Sequence, residues 1–151
     1  LRLGQHIEAL MDTPNLRPRL FSFRVLAFNA ENKAPNVANA ETGLEMTPTI
    51  EVALAVPRSP DGPLEGLVTI RLQGRAALRA KPDESIAEFS AAYEARFFYP
   101  PDAKEAEVTP RFERESHQYM LVAQAFPLAA SHFRRELMSM GFTVGDMPLG
   151  I

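Results

Sequence analysis

The chain has 151 residues, of which 46% are hydrophobic and 23% charged, with a net charge of −3. That length is one domain by the usual prior, able to bury roughly two-thirds of its surface without staples. A mild negative charge with no basic cluster beyond Arg134-Arg135 argues against nucleic acid, and the absence of cysteine excludes disulfides, thiolate metal sites and a cysteine nucleophile.

The apolar runs fall far short of the ~20 residues that span a bilayer, and neither a signal peptide nor a lipidation motif is visible. A cytoplasmic protein without membrane contact is expected. Residues 1–18 read as an N-terminal arm, with Leu3, Ile7, Leu10 and Met11 at helical spacing, and residues 19–151 as a single domain. Leu20 to Asn29 is a first strand in which Phe21, Phe23, Val25 and Ala27 alternate with Ser22, Arg24, Leu26 and Phe28, apolar on both faces. An irregular stretch with Asn, Pro and Gly punctuation follows. Thr49 to Val56 is a second strand, with Ile50, Val52, Leu54 and Val56 on one face. Leu67 to Leu78 is a third, where Gly74 suggests a bulge or bend. After a loop over residues 79–85, Ile86 to Tyr99 is a fourth, with Phe89, Ala91, Tyr93, Ala95, Phe97 and Tyr99 on one face. Helix is the alternative for residues 84–96, since Ala and Glu favour it.

An acidic loop over residues 102–109 leads into a long helical segment, Phe112 to Phe142. Tyr119, Ala123, Phe126, Ala130, Phe133, Leu137 and Met140 fall on one stripe. Pro127 removes one internal hydrogen bond, so the segment is one kinked helix or two helices meeting there; Gly141 ends it. Strands grouped ahead of helices predict α+β: a four-stranded antiparallel meander with a long, kinked C-terminal helix on one face.

Motifs for chemistry are missing. His117 and His132 are fifteen residues apart, unlike a turn-spaced metal pair; Glu113 and His117 read as a surface pair; Ser131-His132 lacks a nucleophile elbow; no glycine-rich phosphate loop occurs. Carboxylates in loops read as solvated. No catalytic residue, cofactor or metal is expected, and the chain is not expected to be an enzyme. Apolar surplus stands out instead, fit for an oligomer interface or for binding apolar segments of other proteins.

Several motifs, in order, carry a resemblance. Ala34-Pro35-Asn36 after the first strand, Pro48-Thr49-Ile50-Glu51-Val52 in the second, Phe126-Pro127-Leu128-Ala129 in the helix, Gly141-Phe142 and the closing Met147-Pro148-Leu149 resemble motifs of the SecB-type export chaperones, over roughly residues 20–151. The resemblance implies the α+β fold above, a tetramer built as a dimer of dimers, and an ATP-independent holdase that holds unfolded polypeptide clients in apolar grooves. It also implies protein transport through hand-off to the SecA motor, or, in some relatives, service to a toxin–antitoxin system. Here Lys33, Asn29, Phe89 and Ala91 stand where the family is matched at its SecA docking face, and acidic residues are lost, which argues against SecA as a partner. A dedicated chaperone of a toxin–antitoxin or phage system is the alternative. Phe21, Phe23, Phe89, Tyr93, Phe97, Phe126 and Phe133 are candidates to line the client groove or the subunit interface, with Pro127 as the kink between helical segments.

Overall fold

The computed structural model describes residues 16–38, 41–57 and 59–142. Most of the expected N-terminal arm and the closing Met147-Pro148-Leu149 lie outside the described residues. Four strands form one sheet: β1 (Arg19–Asn32), β2 (Thr42–Ala55), β3 (Glu65–Leu78) and β4 (Lys81–Phe98). Two helices follow, α1 (Glu105–Phe112) and α2 (Glu115–Ser139). All strand pairs are antiparallel, so the four-stranded sheet with a long C-terminal helix is as expected.

The order across the sheet is β1-β4-β3-β2. Only β2, β3 and β4 form a meander; β1 crosses over to pair with β4, a Greek-key arrangement run in the opposite chain direction. Residues 84–96 are strand rather than helix, because every second side chain of β4 is needed in the core. Ala87, Phe89, Ala91, Tyr93, Ala95 and Phe97 are all buried beneath the helices, while Glu88, Ser90, Ala92, Glu94, Arg96 and Phe98 point to the other face.

Three boundaries differ from expectation for physical reasons. The loop before β4 shrinks to a tight turn at Arg79-Ala80, with register shifts at Ala76, Ala77 and Leu78 absorbing the residues beyond it. β2 begins seven residues early, at Thr42, because Pro48, which reads as a break, sits on an edge strand where a missing N–H faces solvent. The acidic stretch before the long helix is α1, whose first turn carries Glu105 and Glu107 against the positive helix end.

α2 runs unbroken through Pro127 for 25 residues, about 37 Å. The join between helical segments lies at Glu113-Arg114 instead. Its sheet-facing stripe is Leu121, Val122, Ala125, Phe126, Ala129, Ala130, Phe133 and Leu137, all buried, whereas Tyr119 and Ala123 of the expected stripe face outward. α2 ends in a Schellman motif: Gly141 N–H donates to Met138 O and Phe142 N–H to Leu137 O, with Gly141 at φ 93°. Phe142 then packs edge-on against Phe89, ring centroids 5.4 Å apart.

Gly74 makes no bulge. It lies opposite Met46 and Phe89 in regular register, and a Cβ there would come 3.1 Å from the Glu45 carbonyl oxygen and 3.7 Å from Phe133. Its missing side chain leaves room for Phe89 and Phe133 to meet above the sheet, centroids 6.4 Å apart.

Candidate polypeptide-binding surface

Among the described residues the sheet has two free edges, β1 and β2, and the chain treats them differently. β1 pairs with β4 through two bulges, at Phe21 and at Leu26. Each inserts one extra residue and flips the alternation. Before the second bulge Phe23 and Val25 share the helix side with Ala95 and Tyr93; after it Phe28 and Ala30 do, opposite Ala91 and Phe89. Phe28 thereby reaches the rings of His132 and Phe133. The strand leaves apolar side chains open on both faces, Leu20 and Val25 on the helix side and the bulged Phe21 on the other. Leu20, Phe21, Val25 and Leu26 are exposed, and Phe21, 63% exposed, stacks on Phe98 with centroids 4.0 Å apart.

β2 has no register shift from Thr42 to Ala55. Which of its backbone groups face outward follows from three observations. Arg79 N–H donates to Glu41 O, making the odd position next to Thr42 a hydrogen-bonded one. The Glu45 carbonyl points at β3, as its approach to Gly74 shows. Pro48, with no N–H, must occupy a position that makes no ladder bond. The odd residues therefore bond to β3, and Met46, Pro48, Ile50, Val52 and Leu54 present their backbone to the open edge. Between Ile50 and Leu54 donors and acceptors are uninterrupted.

The same even residues point their side chains to the helix side. α2 packs over β3, β4 and β1, so Leu44, Met46, Ile50, Val52 and Leu54 stay half-buried beside it. An apolar shelf thus lies next to a free strand edge. Leu44 and Met46 were legible from their even spacing with Ile50, which the Pro48 break obscured.

Of the seven aromatic candidates, Phe89, Tyr93, Phe97, Phe126 and Phe133 are buried in the core of one chain, at 4%, 0%, 0%, 3% and 0% exposure. Phe23 is half-buried and stacks on Tyr93. Phe21 alone among them is open to solvent. Pro127 lies on the outer side of α2, where with Tyr119, Phe126, Ala130, Arg134 and Met138 it lines a cavity of about 510 Å³.

The docking-face expectation is corrected for two positions. Phe89 and Ala91 are buried, with their side chains on the helix side. Glu88 and Ser90 stand outward there, and Glu31 lies directly opposite Glu88. With Asn29, Glu45 and Arg75 they line an open cavity of about 690 Å³, so this end of the outer face keeps acidic residues at neighbouring positions.

Two tyrosine–histidine bonds join the helix to the sheet. Tyr93 Oη lies 2.9 Å from His132 Nδ1, and His132 Nε2 lies 3.6 Å from Glu136. Tyr99 Oη lies 2.7 Å from His117 Nε2. Burial, and for Tyr93 also the Glu136 carboxylate, raises both phenols, Tyr99 to about 12. Burial and then the Arg111 charge lower His117. Among the described residues no group of three His, Cys, Asp or Glu side chains could hold a metal, and no helix is long and apolar enough to cross a membrane.

No protein-family model matches the chain, and no curated protein does. A solved structure does: the Mycobacterium tuberculosis Rv1957 SecB-like chaperone in complex with a ChAD peptide from the Rv1956 HigA1 antitoxin. The TM-score is 0.53 at 18% identity, covering 95% of this chain and 92% of that chain. The two share a fold.

Proposed function

We propose that this chain is a SecB-like chaperone that binds extended, apolar polypeptide segments without ATP and without catalysis. The observation that carries the reading is the half-covered shelf of Ile50, Val52 and Leu54 beside an uninterrupted strand edge. An extended client adds as a fifth strand: its backbone bonds to the edge irrespective of sequence, and every second side chain lies on the shelf. Such binding needs no reactive group, only a site that favours the unfolded client over the folded one. The shared fold with a chaperone solved together with an antitoxin peptide supports a polypeptide as ligand.

β1 suits a different role. Leu20, Phe21, Val25 and Leu26 make an exposed apolar edge of the kind that associates, and a second copy of this chain is its proposed occupant. The exposed Tyr119, Leu128 and Met138 on α2 offer a second contact from which a dimer of dimers is built. A cytoplasmic location accompanies this reading.

The test is suppression of aggregation for several unrelated denatured proteins at stoichiometric ratio. A general holdase protects most of them. Protection of none, with tight binding to one antitoxin-like segment, supports instead a dedicated partner chaperone of a toxin–antitoxin or phage system.

A further inference from the structure

The two tyrosine–histidine bonds pin α2 to the sheet at points fifteen residues apart, and their surroundings differ in one respect. His132 sits between Tyr93 of β4 and Phe28 of β1, with the Glu136 carboxylate 3.6 Å from its Nε2. His117 sits between the Tyr99 ring, stacked on it at 5.9 Å, and Phe112 of α1 at the same distance. The charge that faces it from α1 is the Arg111 cation. Its own helix begins with Arg114 and Glu115, and among the described residues no carboxylate forms an ion pair with it.

His117 also occupies a mechanical joint. α1 ends at Phe112 and α2 starts at Glu115; Gln118 Nε2 donates to the Phe112 carbonyl across the gap, 3.0 Å. One turn further, Leu121 packs against Gly66, a Cβ on which would come 3.4 Å from its Cδ1, and Gly66 pairs with Leu54 of β2. The joint therefore stands over the end of the sheet where the β2 edge is uninterrupted.

We infer that His117 is an acid-sensitive latch: a proton taken up by its ring releases the α1–α2 joint and the first turns of α2 from the sheet, while the His132–Glu136 end stays docked. The protonated imidazole can only donate to Tyr99 Oη, which leaves the buried hydroxyl proton without its acceptor, and it confronts Arg111 with a like charge, so the docked arrangement opposes the proton. Only the link from the latch to the β2 edge rests on the client-binding reading; the latch itself rests on the geometry of the joint.

The experiment is amide hydrogen exchange of the full chain at pH 7.5 and 5.5, corrected for the intrinsic pH dependence, together with the NMR titration of the His117 imidazole. The titration is expected below 6.5. Each unit of that lowering lets acid weaken protection of residues 105–122 by about tenfold, with residues 130–139 weakened less. The non-titrating variant His117→Gln, whose amide can still accept from Tyr99, should keep equal protection at both pH values. A titration at or above 6.5, an equal loss in both segments, or an undiminished pH response in His117→Gln would overturn the latch. The titration needs no variant to fold, and none of these readouts involves a client. Failure of the latch thus stays separate from failure of the chaperone reading, which the aggregation assay reports.

Discussion

The two edges of one sheet are built on opposite plans. β1 is kinked by two bulges, shows its neighbours large side chains, and breaks the row of outward backbone groups. β2 keeps perfect register over fourteen residues, shows mostly backbone, and carries its apolar side chains on the shelf beside the helix. A bulged edge rejects an arbitrary strand and accepts a surface of matching shape. A regular edge accepts any extended chain, because the backbone is common to all sequences. On the proposed reading, the contrast gives self-recognition to β1 and sequence-tolerant recognition to β2.

Proline substitution along β2 breaks this comparison most directly. Ala53 bonds to β3, so Ala53→Pro removes a ladder hydrogen bond and strains its neighbours, an expected loss of about 3 kcal/mol. The melting temperature should fall by roughly 6–12 °C. Val52 faces the open edge, as Pro48 does, so Val52→Pro should leave the sheet paired. Its stability loss, from trimmed packing, is expected near 1 kcal/mol, while client affinity measured by fluorescence anisotropy falls about tenfold as edge hydrogen bonds are lost. If Ala53→Pro is the milder change for folding, the deduced direction of the β2 backbone is reversed and the edge argument collapses.

The matching change on β1 is the double substitution Phe21→Asp with Leu26→Lys. Both side chains are exposed, so the monomer should change by no more than about 0.5 kcal/mol. Light scattering should show the assembly dissociating at concentrations at least tenfold higher than for the parent, with client affinity per chain unaltered. Loss of client binding together with assembly would show that the two edges do not act independently.

The sequence revealed the strands of β3 and β4 and the amphipathic helix because there one period runs through a buried face. Phe89 to Phe97 at alternate positions forecast the core face of β4 correctly. It was less legible where a backbone feature interrupts the period. The bulge at Leu26 reversed the facing of Phe28, and Pro48 hid the first half of β2. Apolarity alone marks the aromatic candidates, and a large aromatic is the residue a core claims first. The proposed binding surface is made of aliphatic residues of an edge strand, and a backbone edge has no signature in side-chain composition. Pairing of β1 with β4 rather than β2 is likewise a choice of topology that local pattern does not encode.

The smallest effect separates the edges by pH. His117, lowered by burial and by Arg111, titrates in the unfolded chain near its ordinary 6.5 and in the folded chain below that. Between those two values the unfolded chain holds more protons, so stability rises with pH there. It is fully present above about 6.5 and is lost as the pH falls through the interval toward the folded value. The loss is local to the joint above Gly66 and Leu54, on the β2 side, whereas His132 and its Glu136 partner sit beside Phe28 of β1. Lowering the pH from 7.5 to 5.5 should therefore weaken client binding before it weakens assembly. Parallel anisotropy and light-scattering titrations would show the order. Assembly failing first would place the proton-sensitive contact on β1 and remove the mechanical distinction between the two edges.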